Sequence, residues 1–178
     1  MLIRTVIFKK TLACLASGTI LLTATAVASA ACVQNRASYS DKDQNYTLTF
    51  SPVQKDDEHA GNSFTITANA KHEFKLQGNV QWTEGASRPT AMITYNCAAS
   101  EDVAEDEIDD CTIWQGVVYA LKDGADAEFL PRNDEPAAAA ILLPDFVSML
   151  DSYDFGEVKP AEPLSWDVFR FKACTPEE

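Results

Sequence analysis

Histidine is nearly absent from this chain: two residues in 178, His59 and His72. Cations are scarce as well, 14 Lys and Arg against 27 Asp and Glu, for a net charge of −13. That balance argues against nucleic acid as a partner, because phosphate binding needs clustered Lys and Arg. No G-x-S-x-G, H-E-x-x-H, P-loop or G-x-G-x-x-G occurs. There is no C-x-x-C spacing and no Cys/His cluster, so neither a redox pair nor a zinc site has support. Beyond residue 30 no run approaches the ~18 apolar residues of a membrane-spanning helix. Disorder is excluded from the other side, since 46% of the residues are hydrophobic, enough for a real core.

The first thirty residues have the layout of a secretory signal peptide. Arg4, Lys9 and Lys10 form a positive start, Thr11–Val27 is uncharged and mostly apolar, and Ala28-Ser29-Ala30 puts small residues before a cleavage point. We therefore expect residues 1–30 to be cleaved and residues 31–178 to form a single disulfide-stabilised β-rich domain. Removing the leader takes away three cations and no acid, so the mature chain is more acidic still. The expected location is the periplasm or the exterior of a bacterial cell, with no stable membrane span after processing.

Five cysteines are present, and cleavage removes Cys14. Four then remain, an even number, which reads as two disulfides in an exported chain. That parity also argues against lipidation of Cys32, which would strand one of the other three. The expected pairs are Cys97–Cys111, bracketing one loop between adjacent strands, and Cys32–Cys174, tying the two ends together.

Strand signals dominate the mature chain. Tyr46–Phe50 and Phe64–Thr67 alternate large apolar residues with threonine. Phe74, Leu76, Val80 and Trp82 share one parity of a strand over residues 73–83, with Gly78 expected to mark a bulge. Residues 84–87 form a turn, after which residues 90–97 pair back antiparallel. Residues 112–121 are apolar on both faces, as in a strand that is central or covered by a helix. Phe129-Leu130 suggests a short strand, and residues 131–136 a polar loop. Ala137–Leu143 suits a helix or a buried strand equally. Past Pro144, Phe146, Met149, Leu150 and Tyr153 follow a helical stripe, with Gly156 as its stop. Residues 165–174 close the chain as a strand, with Phe169, Phe171 and Ala173 on one face. The expectation is a mainly β fold, an antiparallel sandwich or small barrel of six to eight strands with one short helix in the C-terminal half.

Candidate functional residues are few. Between Cys97 and Cys111 lie seven carboxylates in thirteen residues: Glu101, Asp102, Glu105, Asp106, Glu107, Asp109 and Asp110. Their density suits a solvated loop or a surface for a cationic partner. The D-x-[DN]-x-[DN]-G calcium pattern is missing, so calcium is the minor alternative and no cofactor is expected. Trp82, Trp114 and Trp166 read as core, with a ligand groove as the alternative. Arg88, in a turn, is expected to anchor a carboxylate. His59 and His72 read as surface residues.

The functional expectation is an exported, non-enzymatic binding or interaction protein of the bacterial envelope. One version is an acidic inhibitor or sequestering protein for a cationic target such as a lysozyme-like enzyme; a small ligand is the other. The alternative is an envelope hydrolase whose acid/base site is invisible to motif reading. The missing motifs lean the reading away from an enzyme.

Overall fold

The computed structural model describes residues 32–52, 60–82, 88–97, 105–122, 124, 126–156 and 162–175. It is mainly antiparallel β, with ten strands in one curled sheet. The strands are β1 (Ala37–Ser40), β2 (Tyr46–Ser51), β3 (Ala60–Ala68), β4 (Lys71–Gln81), β5 (Thr90–Thr94), β6 (Thr112–Val117), β7 (Tyr119–Leu121), β8 (Glu128–Phe129), β9 (Ala140–Leu142) and β10 (Val168–Cys174). Two short helices accompany them, α1 (Glu105–Cys111) and α2 (Phe146–Ser152), and a single 3-10 turn spans Gln34–Arg36. Residues 1–30, the expected leader, lie outside the described residues.

The first six strands form a meander in chain order, and β10 then pairs with β1, so the sheet runs β6-β5-β4-β3-β2-β1-β10-β9-β7-β8. Period-2 patterning fixes which side chains go inside. Tyr46, Leu48 and Phe50 of β2 are buried, and so are Phe64 and Ile66 of β3 and Phe74, Leu76 and Val80 of β4. The threonines and glutamines between them face outward or sit half-exposed. A one-residue slip would turn each of these apolar sets out to water, so the pattern specifies the register.

Both expected disulfides are present. Cys97–Cys111 staples the connection between β5 and β6, and Cys32–Cys174 joins the start of the described chain to the end of β10. Around the second bridge, both Nε and Nη2 of Arg36 donate to the Thr175 carbonyl (3.0 and 2.7 Å), while Thr175 N–H donates back to Arg36 O (2.8 Å).

Several local expectations need correction. Gly78 is not a bulge: it pairs in unbroken register with Phe64 on one side and Ile93 on the other. It is glycine because the Phe64 ring lies over it. The apolar stretch 112–121 is two strands, not one. β6 pairs with β5 at one end of the sheet, and β7 pairs with β9 and β8 at the other. Only Val118, fully buried, separates them. Consecutive Cα atoms are ~3.8 Å apart, so the sheet has to curl until its two ends nearly meet at this residue. Ala140–Leu142 settles as strand, helped by the ladder to β10. In β10, Lys172 is an extra residue between those paired with Ser38 and Tyr39. Exposure changes along β10 before that bulge: Phe169 is fully buried, whereas Phe171, edge-on to Tyr39 at 5.8 Å, is 42% exposed.

Helix α2 follows Pro144 as expected, but its start is capped from a distance. Asp145 adopts a left-handed conformation (φ 63°) and its side chain caps nothing. Instead the Asp167 carboxylate accepts the N–H groups of Asp145 (3.0 Å) and Val147 (2.8 Å). Phe146 and Leu150 are buried, but Met149, expected on the same stripe, is 46% exposed. The helix ends at Ser152, and Gly156 (φ 59°) serves the following turn rather than the helix stop. Among the described residues no helix is long and apolar enough to cross a membrane.

Candidate functional site

The three tryptophans do not share a role. Trp114 is core: it is buried, its Nε1 donates to Pro144 O (2.8 Å), and its ring meets Phe146 edge-on at 6.3 Å. Trp166, expected inside, is 57% exposed and lies under the Lys42 ammonium. Trp82 stands just past the end of β4, half-buried, and it borders a cleft of about 680 Å³. That size falls within the range of small-molecule sites, ~300–1,000 Å³.

The cleft is built from three separated stretches: Trp82, the β7–β8 hairpin, and the segment Leu130–Ala139. Its walls are mainly apolar, with Phe129, Leu130, Pro131 and the run Ala137–Ala139.

The 131–139 wall is held from behind by the N-terminal end of the described chain. Gln34 N–H donates to Glu135 O (2.9 Å), Asn35 N–H to Asn133 O (3.1 Å), and Ala137 N–H to Cys32 O (2.8 Å). The Gln34 side chain, fully buried, accepts from Ala138 N–H and from the Tyr39 hydroxyl, both at 3.0 Å. Cys32 is itself fixed by its disulfide to Cys174. On the opposite side, Asn62 is fully buried and its Nδ2 donates to Pro131 O (3.4 Å). The wall is thus positioned by main-chain and amide bonds, not by loop packing alone.

Trp82 is held between two neighbours. Its pyrrole edge lies on Gly61, where a Cβ would stand 1.9 Å from Cδ1. The Arg132 guanidinium covers its ring at 4.7 Å from the centroid. The indole N–H is buried and has no hydrogen-bond partner among the described residues. Four charged side chains border the cleft: Lys122 and Glu128 form an ion pair, and Glu135 Oε2 accepts the backbone N–H of Arg132 (2.8 Å). The Arg132 guanidinium has no carboxylate partner among the described residues.

The acidic stretch looks different from the expected loop. Glu101 and Asp102 lie outside the described residues. Glu105, Asp106 and Glu107 open helix α1, and Asp109 and Asp110 sit exposed near its end. The helix is continuous with β6: Thr112 Oγ1 donates to Ile108 O (2.7 Å), and the Tyr153 hydroxyl donates to Asp110 O (3.1 Å). Among the described residues no group of three or more His, Cys, Asp and Glu is placed to hold a metal ion. Arg88 meets the Tyr119 hydroxyl (3.4 Å), not a carboxylate. His59 is outside the described residues, as is the side chain of His72.

Sequence reasoning missed the cleft. Its residues come from stretches that look unrelated in the chain, and residues 131–136 read only as a polar loop. The one local signal was a lone arginine between Pro131 and Pro136, a stiff frame for a cation. Comparison with family models, with curated proteins and with solved structures finds no match to this chain.

Proposed function

We propose that the protein is exported after loss of residues 1–30, works in the periplasm or outside the cell, and is a non-enzymatic β-rich binding protein whose ligand site is the cleft beside Trp82. The carrying observation is the preformed wall. Residues 131–139 are bonded to Cys32–Asn35, which a disulfide anchors to β10, so little ordering is left for a ligand to impose. Native mass spectrometry of the protein taken from its own cell envelope tests this. A small molecule should remain bound to the wild type and be missing from Ala139→Trp, which fills the cleft with an indole. A wild type that carries no adduct and binds nothing in a fragment screen overturns the reading.

A cationic protein as partner is a second reading, favoured by the exposure of Asp109 and Asp110 at the end of α1. The helix dipole adds partial negative charge there and no basic residue in the last turn offsets it. Replacing both with Asn should slow association with a lysozyme-like basic protein and flatten its salt dependence. An unchanged rate overturns it.

A further inference from the structure

We infer that the cleft selects ligands with an apolar body and one terminal carboxylate, and that Arg132 is the group that reads the carboxylate. The inference rests on the cleft being a ligand site and adds the chemistry of the ligand.

The argument starts from what Arg132 does not do. A guanidinium has five N–H donors in a planar fork that matches a carboxylate in two parallel hydrogen bonds. In this protein acids outnumber cations almost two to one. Lys122, on the same cleft, has the Glu128 carboxylate as its partner. Arg132 has none among the described residues; it lies over the Trp82 ring instead. Contact with the ring holds the guanidinium in place, and none of its N–H groups has a hydrogen-bond partner among the described residues.

The other charges in the cleft are each held in place. The Lys122–Glu128 pair is neutral as a unit, and Glu135 points an oxygen at the Arg132 backbone. The aromatic face that would otherwise attract a ligand cation is covered by Arg132. A ligand carboxylate would find an unused fork. Beyond that fork the walls are the methyl groups of Ala137–Ala139 together with Leu130 and Phe129, which suit an aliphatic or aromatic body. Trp82 is the platform for the whole arrangement, and Gly61 is the reason that it fits: any side chain at 61 would displace the indole from beneath Arg132.

Calorimetric titration of the mature protein with three probes of one chain length decides it: octanoate, octan-1-ol and octylammonium. Octanoate should bind roughly tenfold tighter than octan-1-ol, and octylammonium weakest. Arg132→Gln should remove the preference for octanoate while leaving octan-1-ol unchanged. Arg132→Lys should restore only part of it, because charge without the fork is a weaker match. Ala139→Trp should abolish binding of all three. Because Arg132 is exposed, its variants should melt as the wild type does, which separates lost recognition from lost folding. Equal affinity for octanoate and octan-1-ol, or tightest binding of octylammonium, overturns the carboxylate inference and leaves the cleft as a site. Failure of all three probes to bind overturns the inference and counts against the cleft itself.

Discussion

Phe64 takes the space that a side chain at Gly78 would need: a Cβ there would stand 2.2 Å from two carbons of the Phe64 ring. The two residues face each other across β3 and β4, and Phe64 is buried against Phe50 at 5.3 Å, so the ring has nowhere to retreat. Gly78→Ala should therefore destabilise the fold by about 1–3 kcal/mol, the usual cost of overpacking. Urea unfolding reads it. Phe64→Leu in the same background should recover part of the loss, and a double-mutant cycle should show the two positions strongly coupled.

The remote cap of α2 predicts a second loss. With the Asp145 side chain turned away, Asp167 alone satisfies two first-turn N–H groups. Asp167→Ala should cost about 1 kcal/mol, within the range for a lost N-cap. Asp167→Asn, which keeps one acceptor oxygen, should cost less. Near-ultraviolet circular dichroism should report the same change, because α2 covers Trp114.

Alkali should loosen the fold over a defined window. Burial pushes the Tyr39 hydroxyl up to about 12, against a smaller downward pull from its bond to Gln34. Burial also pushes Tyr46 up to about 12, with Asp41, Asp151 and Glu162 adding negative charge nearby. The unfolded tyrosines ionise near pH 10, so from there to about 12 the unfolded state holds fewer protons than the native one. Their contribution is complete below pH 10, falls as the pH rises, and is gone above about 12. Melting temperatures taken quickly across this window should decline, and Tyr39→Phe with Tyr46→Phe should flatten the decline.

The two disulfides should differ in worth. Their half-cystines are 142 and 14 residues apart in sequence. In the chain-entropy model closure of the longer loop contributes ~5 kcal/mol and the shorter ~3 kcal/mol. Cys32→Ala with Cys174→Ala should therefore lower the urea midpoint more than Cys97→Ala with Cys111→Ala. The larger effect should also reach the cleft, since Cys32 O receives Ala137 N–H from its wall.

What was legible in the sequence was whatever repeats over a few residues. The alternation in Tyr46–Phe50 and in Phe74–Val80 carries its own register, so these strands stood out. The cysteine pairs were legible because parity and strand neighbourhood leave little choice. What escaped depends on partners far along the chain. Residues 112–121 are apolar on both faces whether they form one strand or two, and no local signal says that β7 leaves for the opposite end of the sheet at Val118. Glu105–Asp110 looked too acidic for anything but a loop, yet a disulfide and the Thr112 bond hold it as a helix. Parity placed Phe171 with Phe169, and Phe171 does meet buried Tyr39, but no local signal says that this end of β10 is left half-exposed. The cleft was illegible for the same reason: Trp82 and Arg132 are 50 positions apart, and nothing near either one names the other.

The bridges are nested: of the four bonded cysteines the first joins the last, and the middle two join each other. Under the export proposed above, a chain delivered from its N-terminus presents Cys32 first and Cys97 second, and these two are not partners. An oxidant that acts on thiols in order of arrival would join them and leave a wrong bridge across the β1–β5 meander. The correct partner of Cys32 arrives only with β10, the last strand, which is also the one that β1 needs to fill its open edge. That route therefore calls for a step that exchanges disulfides, not one that only forms them. Withholding an isomerase should accumulate the Cys32–Cys97 species while the Cys97–Cys111 species waits.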